Sequence, residues 1–463
     1  MKKILIPLTV QFSVRYIVRT GLLDQIKEFA TPVIVLNWDD DELKKELEIN
    51  GISVYYLPKK KIGLNYYRTK QQLSVWHFNN IKSPTTQIDK NRLDLLKPRN
   101  RKIIGDVKQF IYSSITNFHP YLNYLLDLER KHLVEDTNIK EYQSLVKKIK
   151  PDLVFCLTPY FQEEEFLLRA AEIESIPLIT SIISFDNLTT RGWISTKFEE
   201  YYLWNKYNES ELKRIYPETT NKPIKIVGAP QFDFYYDDNY LWPESEWRHS
   251  LKIPTDAPVI LFGAGPINIT PHEPLILQEL DKAITDKKIR NDPIILFRRH
   301  PVEPIDRWKT ILENSKNIII DEPWKNGKET PGKTNIFLND IQKLCTTLKY
   351  CNVHINTSST MTIDGAIYDK PQIGPGFSIE KKFKKIAYDL YLREHFLPIT
   401  NSGGLDIPKS LEECITMINN AFENPKRKQI ERKNIIHEIA TYDDGKSTMR
   451  VASKLREYIE RYG

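Results

Sequence analysis

HINTSSTMTIDGAIYDKPQI, residues 354–373, decides how this chain folds. An apolar run, Cys351 to Ile355, ends abruptly and is followed by Asn356-Thr357-Ser358-Ser359-Thr360. Helical character begins near Met361, and a second short strand follows at Pro371-Gln372-Ile373. Strand, helix and strand at this spacing predict a parallel pair joined by a helical crossover. The polar run falls between the strand end and the first helical turn, where backbone N–H groups lack partners and the helix dipole is positive. A helix cap needs one hydroxyl. Thr357, Ser358, Ser359 and Thr360 supply four, so the run is read as a cradle for phosphate or diphosphate. Asp364 lies in the first turns of the helix, as an acceptor for a ribose hydroxyl or as an acid that complements the dipole; both readings stand.

The same alternation extends in both directions. Pro258 to Phe262, Pro293 to Phe297 and Ile318 to Ile320 read as further strands, with helices over Glu273 to Thr285 and Asn339 to Tyr350. Two strand ends carry groups suited to anions. Arg298-Arg299-His300-Pro301 offers guanidinium forks and an imidazole. Gly263 and Gly265 stand where backbone could approach a ligand closely or simply turn. No Walker sequence and no convincing metal-ligand spacing occurs.

Toward the N-terminus, Ile4 to Leu8, Pro32 to Leu36 and Ile52 to Leu57 are strands, with helices predicted over Val14 to Phe29 and Asp40 to Ile49. Residues 59 to 105 are less regular, and long helices are predicted over Lys108 to Lys131 and Ile139 to Ile149. Strands resume at Asp152 to Leu157, Leu178 to Ile183, Tyr201 to Trp204 and Ile224 to Val227, with a helix over Glu163 to Glu174. Short apolar strands separated by helices imply parallel sheets covered on both faces. The fold class is therefore α/β: two Rossmann-like doubly wound domains facing a cleft. The expected division is a first domain over 1–238, a linker over 239–256, a second domain over 257–441 and a closing helical segment over 442–463. Ligands in such sheets bind at the carboxyl ends of strands.

In the first domain, Ser184-Phe185-Asp186-Asn187-Leu188-Thr189-Thr190-Arg191-Gly192 follows a strand. Asp186 is a candidate general base, with Asn187, Thr189 and Arg191 holding an acceptor; an Asx-type turn is the plainer reading. Arg15 and Arg19, four apart on a predicted helix, could hold an anionic group or pair with Asp186 or Asp24.

Composition narrows the class. With 463 residues and 40% apolar content, the chain can build more than one core without disulfides. Its four cysteines form no CxxC pair, which fits reduced, buried thiols in the cytosol. A net charge of +6 argues against a nucleic-acid partner. The basic runs Lys59-Lys60-Lys61 and Lys426 to Lys433 read as solvated faces or as contacts for anionic lipid. No signal peptide or membrane-spanning stretch is legible, so the expected location is cytoplasmic, with at most peripheral contact with the inner membrane surface.

Taken together, RRHP, NTSST…DGAIYDKPQI and SFDNLTTRG resemble motifs of the two-Rossmann GT-B glycosyltransferases. More narrowly, they resemble the bacterial surface-polysaccharide group related to CDP-glycerol glycerophosphotransferases, polysialyltransferases and Kdo transferases. The resemblance implies that His300, Ser358 and Ser359 contact donor phosphates and that Asp364 takes the place of a ribose-binding acid, commonly Glu in that group. It also implies a terminal helix that crosses back onto the first domain. The resulting expectation is transfer of a sugar from a nucleotide sugar to a cell-surface polysaccharide (capsule or O-antigen) or a glycolipid, without metal or other cofactor. Arg298, Arg299 and His300 would support the leaving phosphate, and Asp186 would act as the base. The alternatives are a glycerophosphotransferase, a nucleotide-sugar 2-epimerase, or a glycan- or nucleotide-binding protein without catalysis.

Overall fold

The computed structural model describes residues 1–96, 119–301, 303, 305–322 and 338–462. The chain divides into two compact units: Met1–Thr86, Lys97–Pro230 and Ser447–Gly463 form the first, Gln87–Leu96 and Gln231–Lys446 the second.

The first unit is built on β1 (Lys2–Leu8), β2 (Ala30–Leu36), β3 (Ser53–Tyr56), β4 (Leu153–Cys156), β5 (Leu178–Ser181), β6 (Glu200–Leu203) and β7 (Ile224–Ile226). Their order is β3-β2-β1-β4-β5-β6-β7, and every pairing is parallel. Side chains alternate between two cores. Leu5, Val33, Val35 and Val154 enter one; Ile4, Ile6, Ile34 and Phe155 enter the other. Burial on both faces explains why these strands read as continuous apolar runs. Pro7 sits in a central strand without harm. The ladder to β4 covers only Ile4 and Leu5, so the N–H that Pro7 lacks falls beyond it. The last helix, Ser447–Tyr462, places Val451, Ala452, Leu455 and Tyr458 in the second of these cores.

Two expectations here differ from the structure, and a third lies partly outside the described residues. The irregular stretch after residue 59 contains two helices, Leu64–Asn80 and Pro84–Leu96. The buried positions of the first are Tyr66, Thr69, Leu73 and His77, a helical stripe in which Thr and His replace apolar residues and so obscure the period. The continuous helix over Val14 to Phe29 is instead broken by a π-helical turn, Arg15–Arg19, and by Gly21 at φ 77°. In the region of the long helix predicted over Lys108 to Lys131, the described helix is His119–Glu135; residues 108–118 lie outside the described residues.

The second unit carries β8 (Val259–Gly263), β9 (Ile294–Arg298), β10 (Ile318–Asp321), β11 (Val353–Asn356), β12 (Gln372–Ile373) and β13 (Leu405–Asp406). The order is β10-β9-β8-β11-β12-β13, again all parallel. The residues expected to form a linker are folded into this unit. Trp247, on the helix Glu244–Leu251, is fully buried, and its indole N–H donates to Thr347 Oγ1 at 3.0 Å. The backbone N–H of Trp242 donates to Thr346 Oγ1 at 2.9 Å. A large apolar anchor, not a solvated spacer, therefore sets this segment.

All four cysteines are buried, and none forms a disulfide. Among the described residues no helix is long and apolar enough to cross a membrane. The basic run after Lys426 is largely committed within the protein: Arg427 and Lys428 pair with Asp406, and buried Arg432 pairs with Asp369.

Candidate functional site

In each sheet the strand order reverses at one point, β1 beside β4 in the first unit and β8 beside β11 in the second. In open α/β sheets, ligands bind at the carboxyl edge beside such a reversal.

In the second unit Asn356 at the end of β11 pairs with Gly263 at the end of β8. A Cβ on Gly263 would meet Met361 Sδ at 2.7 Å, so glycine lets the start of the helix Met361–Ile367 press against β8. The following loop is braced by a buried carboxylate. Glu273 Oε2 accepts from the Gly265 N–H at 2.9 Å and from Thr270 Oγ1 at 2.8 Å, and Arg307 donates to the Gly265 carbonyl at 3.2 Å. Burial pushes the Glu273 carboxyl above its usual range, although Arg307 and the hydrogen bonds oppose this. Gly365 has a similar packing role. A Cβ there would collide with Gln372 Nε2 and with His354 Nδ1, at 2.1 and 2.5 Å. His354 is a buried neutral ring, its pKa pushed down to about 3 by desolvation.

The four hydroxyls of the cradle have separate positions. Thr357 is buried against Glu273 and Tyr391. Ser358 adopts φ 46°, unusual for a residue with a side chain. Its Oγ donates to the Leu390 carbonyl at 3.0 Å and accepts from Arg393 Nη2 at 2.9 Å. Ser359 Oγ accepts from the Met361 N–H at 3.2 Å, a local turn bond one residue before the N-cap, Thr360, whose own side chain makes no cap hydrogen bond. Thr360 is exposed. Asp364 is buried on the same helix, near Tyr368. Arg393, which holds the strained Ser358, was not legible as a site residue because it lies more than thirty positions downstream in a run without a motif.

The RRHP segment follows β9, on the other side of β8 from β11. Neighbouring strands lie about 4.8 Å apart, so the β9 and β11 ends are separated by roughly 10 Å at one sheet edge. Here the structure corrects the expectation for the two arginines. Arg298 donates to Asp321 at 2.7 Å and to Asp340 at 3.3 Å. Arg299 donates to Glu322 at 2.8 Å and to the Glu303 carbonyl. Both are buried with their forks turned to internal acceptors, so they brace the strand ends and are not open anion ligands. His300 is half-buried, and burial lowers its pKa to about 4. It is thus a neutral hydrogen-bonding imidazole at neutral pH.

In the first unit, Asp186 is half-buried at the start of the short helix Asn187–Thr190. Its Oδ1 accepts from Ser184 Oγ at 2.5 Å and from Asn187 Nδ2 at 3.2 Å, and its Oδ2 from Thr190 Oγ1 at 3.3 Å. Asn187 and Thr189 are buried: Asn187 Oδ1 accepts from the Tyr160 hydroxyl, and Thr189 Oγ1 donates to the Asp186 carbonyl at 3.1 Å. They shape the turn. Arg191 is exposed, its guanidinium 5.1 Å from the Phe161 ring centre. Of the two N-terminal arginines, Arg19 has a partner on the helix Asp41–Ile49. Its guanidinium engages both carboxylate oxygens of Glu46, while Asp24 pairs with Lys27. Arg15 is half-buried on the same π-helical turn.

One group at the first switch point was missed. Glu164 is fully buried on the helix Gln162–Ile173. It accepts from Thr9 Oγ1 at 2.7 Å, just beyond β1, and from the hydroxyl and N–H of Thr158, just beyond β4. Burial raises its pKa to about 7 against the pull of these bonds. Among the described residues no group of three or more potential metal-ligating side chains gathers.

No protein-family model matches this chain, and no curated protein sequence matches it. Solved structures do resemble it in fold. A Staphylococcus aureus MnaA–UDP co-structure aligns over 99% of this chain and 97% of its own, at 12% identity and a TM-score of 0.55. The Neisseria meningitidis UDP-GlcNAc 2-epimerase bound to UDP-GlcNAc aligns over 98% and 100%, at 10% identity and 0.55. A glycosyltransferase from Rickettsia africae aligns over 100% and 99%, at 13% identity and 0.54. At these identities the likeness is one of architecture: this chain has the GT-B type of fold, two α/β units each on a parallel sheet.

Proposed function

We propose that the protein acts on a nucleotide sugar and transfers the sugar to a hydroxyl of a cell-surface polysaccharide or glycolipid, without a metal ion. The observation that carries this reading is the second switch point. There Gly263 lets the start of the helix Met361–Ile367 pack against β8, and the polar run Asn356 to Thr360 joins the end of β11 to that helix start, with the Thr360 side chain exposed. His300 adds a neutral donor at the neighbouring strand end, and Asp364 is the candidate partner for ribose. Arg298 and Arg299 contribute by bracing that edge through Asp321, Asp340 and Glu322. Asp186 is the proposed base: it takes the acceptor's proton as the acceptor oxygen attacks the anomeric carbon and the nucleotide departs with the bonding pair. With such an acceptor, the protein would work at the inner face of the membrane.

A second reading, nucleotide-sugar 2-epimerisation, is favoured by the fold likeness to the Neisseria meningitidis UDP-GlcNAc 2-epimerase. One experiment separates the two. The protein is incubated with the nucleotide sugar that raises its melting temperature most, with and without a membrane-glycan extract, in EDTA. Extract-dependent release of nucleotide with labelled glycan supports transfer. Isomerised sugar with donor alone supports epimerisation and overturns the first reading.

A further inference from the structure

A cavity of about 350 Å³ lies in the first unit, outside the motifs above. Its walls are Tyr67, Lys70, Gln71, Ser74 and Val75 of the helix Leu64–Asn80, and Gln162 at the start of the helix Gln162–Ile173. The volume falls in the range of small-ligand pockets.

Its position links it to Asp186. The helix that forms one wall packs along the segment following the Asp186 turn: His77 Nε2 lies 3.2 Å from the Arg191 carbonyl, and Trp76 meets Trp193 edge-on at 5.7 Å. The opposite wall begins beside Phe161, the ring under Arg191, and Tyr160, the partner of Asn187. Cavity and turn therefore share supports on both sides.

Its chemistry is specific. Lys70 Nζ donates to Ser195 Oγ at 2.6 Å and to Glu165. Glu165 also accepts from the Tyr66 hydroxyl at 3.0 Å, which in turn reaches Glu129, the partner of Arg169 at 3.1 Å. Burial alone would raise the Glu165 pKa, but Lys70 wins and holds it below the usual range. Among the described residues, this buried network fixes an ammonium on the cavity wall through two N–H groups, to Glu165 and Ser195. The network needs neither Gln71 nor Gln162, yet both amides line the same space and both are exposed. Lys60 Nζ reaches Gln162 Oε1 at 3.3 Å, and Gln71 Nε2 reaches the Tyr67 hydroxyl at 2.6 Å. Tyr67, about half exposed, offers a flat ring, and Val75 an apolar patch. Amides, a hydroxyl and an ammonium around an aromatic face match a pyranose, whose hydroxyls radiate from apolar C–H faces.

We propose that this cavity is a saccharide subsite that receives the acceptor sugar, with Lys70, Gln71, Ser74 and Gln162 pairing its hydroxyls and Tyr67 beneath its ring. The inference rests on the transferase reading, because an epimerase requires no second sugar.

The test is saturation-transfer NMR on the full chain without nucleotide. The probes are the methyl glycosides of glucose and N-acetylglucosamine, and glucuronate. Gln162→Ala and the space-filling Gln71→Trp change exposed positions, and circular dichroism checks that both fold. At least one probe should respond to wild type. Loss of one or two hydrogen bonds should weaken that response about 3–10-fold in Gln162→Ala, and Gln71→Trp should abolish it. A preference for glucuronate would identify an acidic acceptor read by Lys70. No response from any probe, or equal responses from both variants, overturns the subsite. Nucleotide-induced stabilisation, measured in parallel, belongs to the second unit and should be unchanged in both variants. Its absence from wild type would defeat the nucleotide-sugar reading while leaving a positive saccharide result standing.

Discussion

Glu164→Gln should make the protein more stable at alkaline pH than the parent. The carboxyl bridges the ends of β1 and β4 from a fully buried position, with its pKa raised from 4.5 to about 7. A raised pKa means that the folded state prefers the protonated acid. Its stabilising contribution is complete below pH 4.5, where folded and unfolded chains are both protonated, and is lost as pH rises through about 7. At 1.36 kcal/mol per pKa unit, the loss approaches about 3 kcal/mol. Glutamine keeps the geometry: its carbonyl can accept from the Thr158 N–H while its amide donates to the hydroxyls of Thr9 and Thr158. The assay is thermal unfolding of parent and variant from pH 4.5 to 8.5, each compared at the same pH so that other titrations cancel. For a domain of this size 1 kcal/mol moves the midpoint by roughly 2–4 °C, so the difference should grow by roughly 6–12 °C in favour of glutamine across that span. A difference that stays flat, or that grows toward acid, would refute the buried-acid argument.

Three further outcomes follow from the same reasoning. His77, buried beside the Arg191 carbonyl, has its pKa lowered by desolvation from 6.5 to about 4. Its contribution is present above pH 6.5 and is lost as pH falls through 4, by about 3 kcal/mol; acid titration of His77→Gln should therefore show a shallower decline than the parent. Arg393→Ala removes buried donors to Ser358 Oγ and to the Leu390 carbonyl. It should cost about 1.5–3 kcal/mol per charged hydrogen bond and release the left-handed Ser358, so nucleotide affinity by calorimetry should fall; unchanged affinity would separate Ser358 from the site. Asp186→Asn should abolish transfer while leaving nucleotide affinity nearly intact, and transfer that survives in a product assay would remove Asp186 as the base.

What the sequence reveals and conceals follows from where each interaction partner lies. Strands buried on both faces announce themselves, as β1 and β2 do, because their buried stretches, Ile4 to Leu8 and Pro32 to Leu36, are apolar throughout. The two-residue β13 has no pattern to read. The helix Leu64–Asn80 escapes because Thr69 and His77 occupy its core stripe and pair with His132 and the Arg191 backbone, far away in the chain. The cradle at Asn356 to Thr360 is local and therefore visible. The committed state of Arg298 and Arg299 is not, since Asp321, Glu322 and Asp340 come from other elements. Glu164 looks like one of three acids opening a helix, and only the fold turns it toward Thr9.

The account stands on phosphate recognition at the end of β11, and Thr360→Glu tests it most directly. Thr360 is exposed at the helix start, where a carboxylate suits the dipole and should leave the melting temperature unchanged or slightly higher. That same charge would repel a bound phosphate. Calorimetric titration with UDP, CDP and GDP in EDTA should show binding of one of them to the parent and none to the variant. Equal binding to both, or no binding of any nucleoside diphosphate to the parent, would contradict the account.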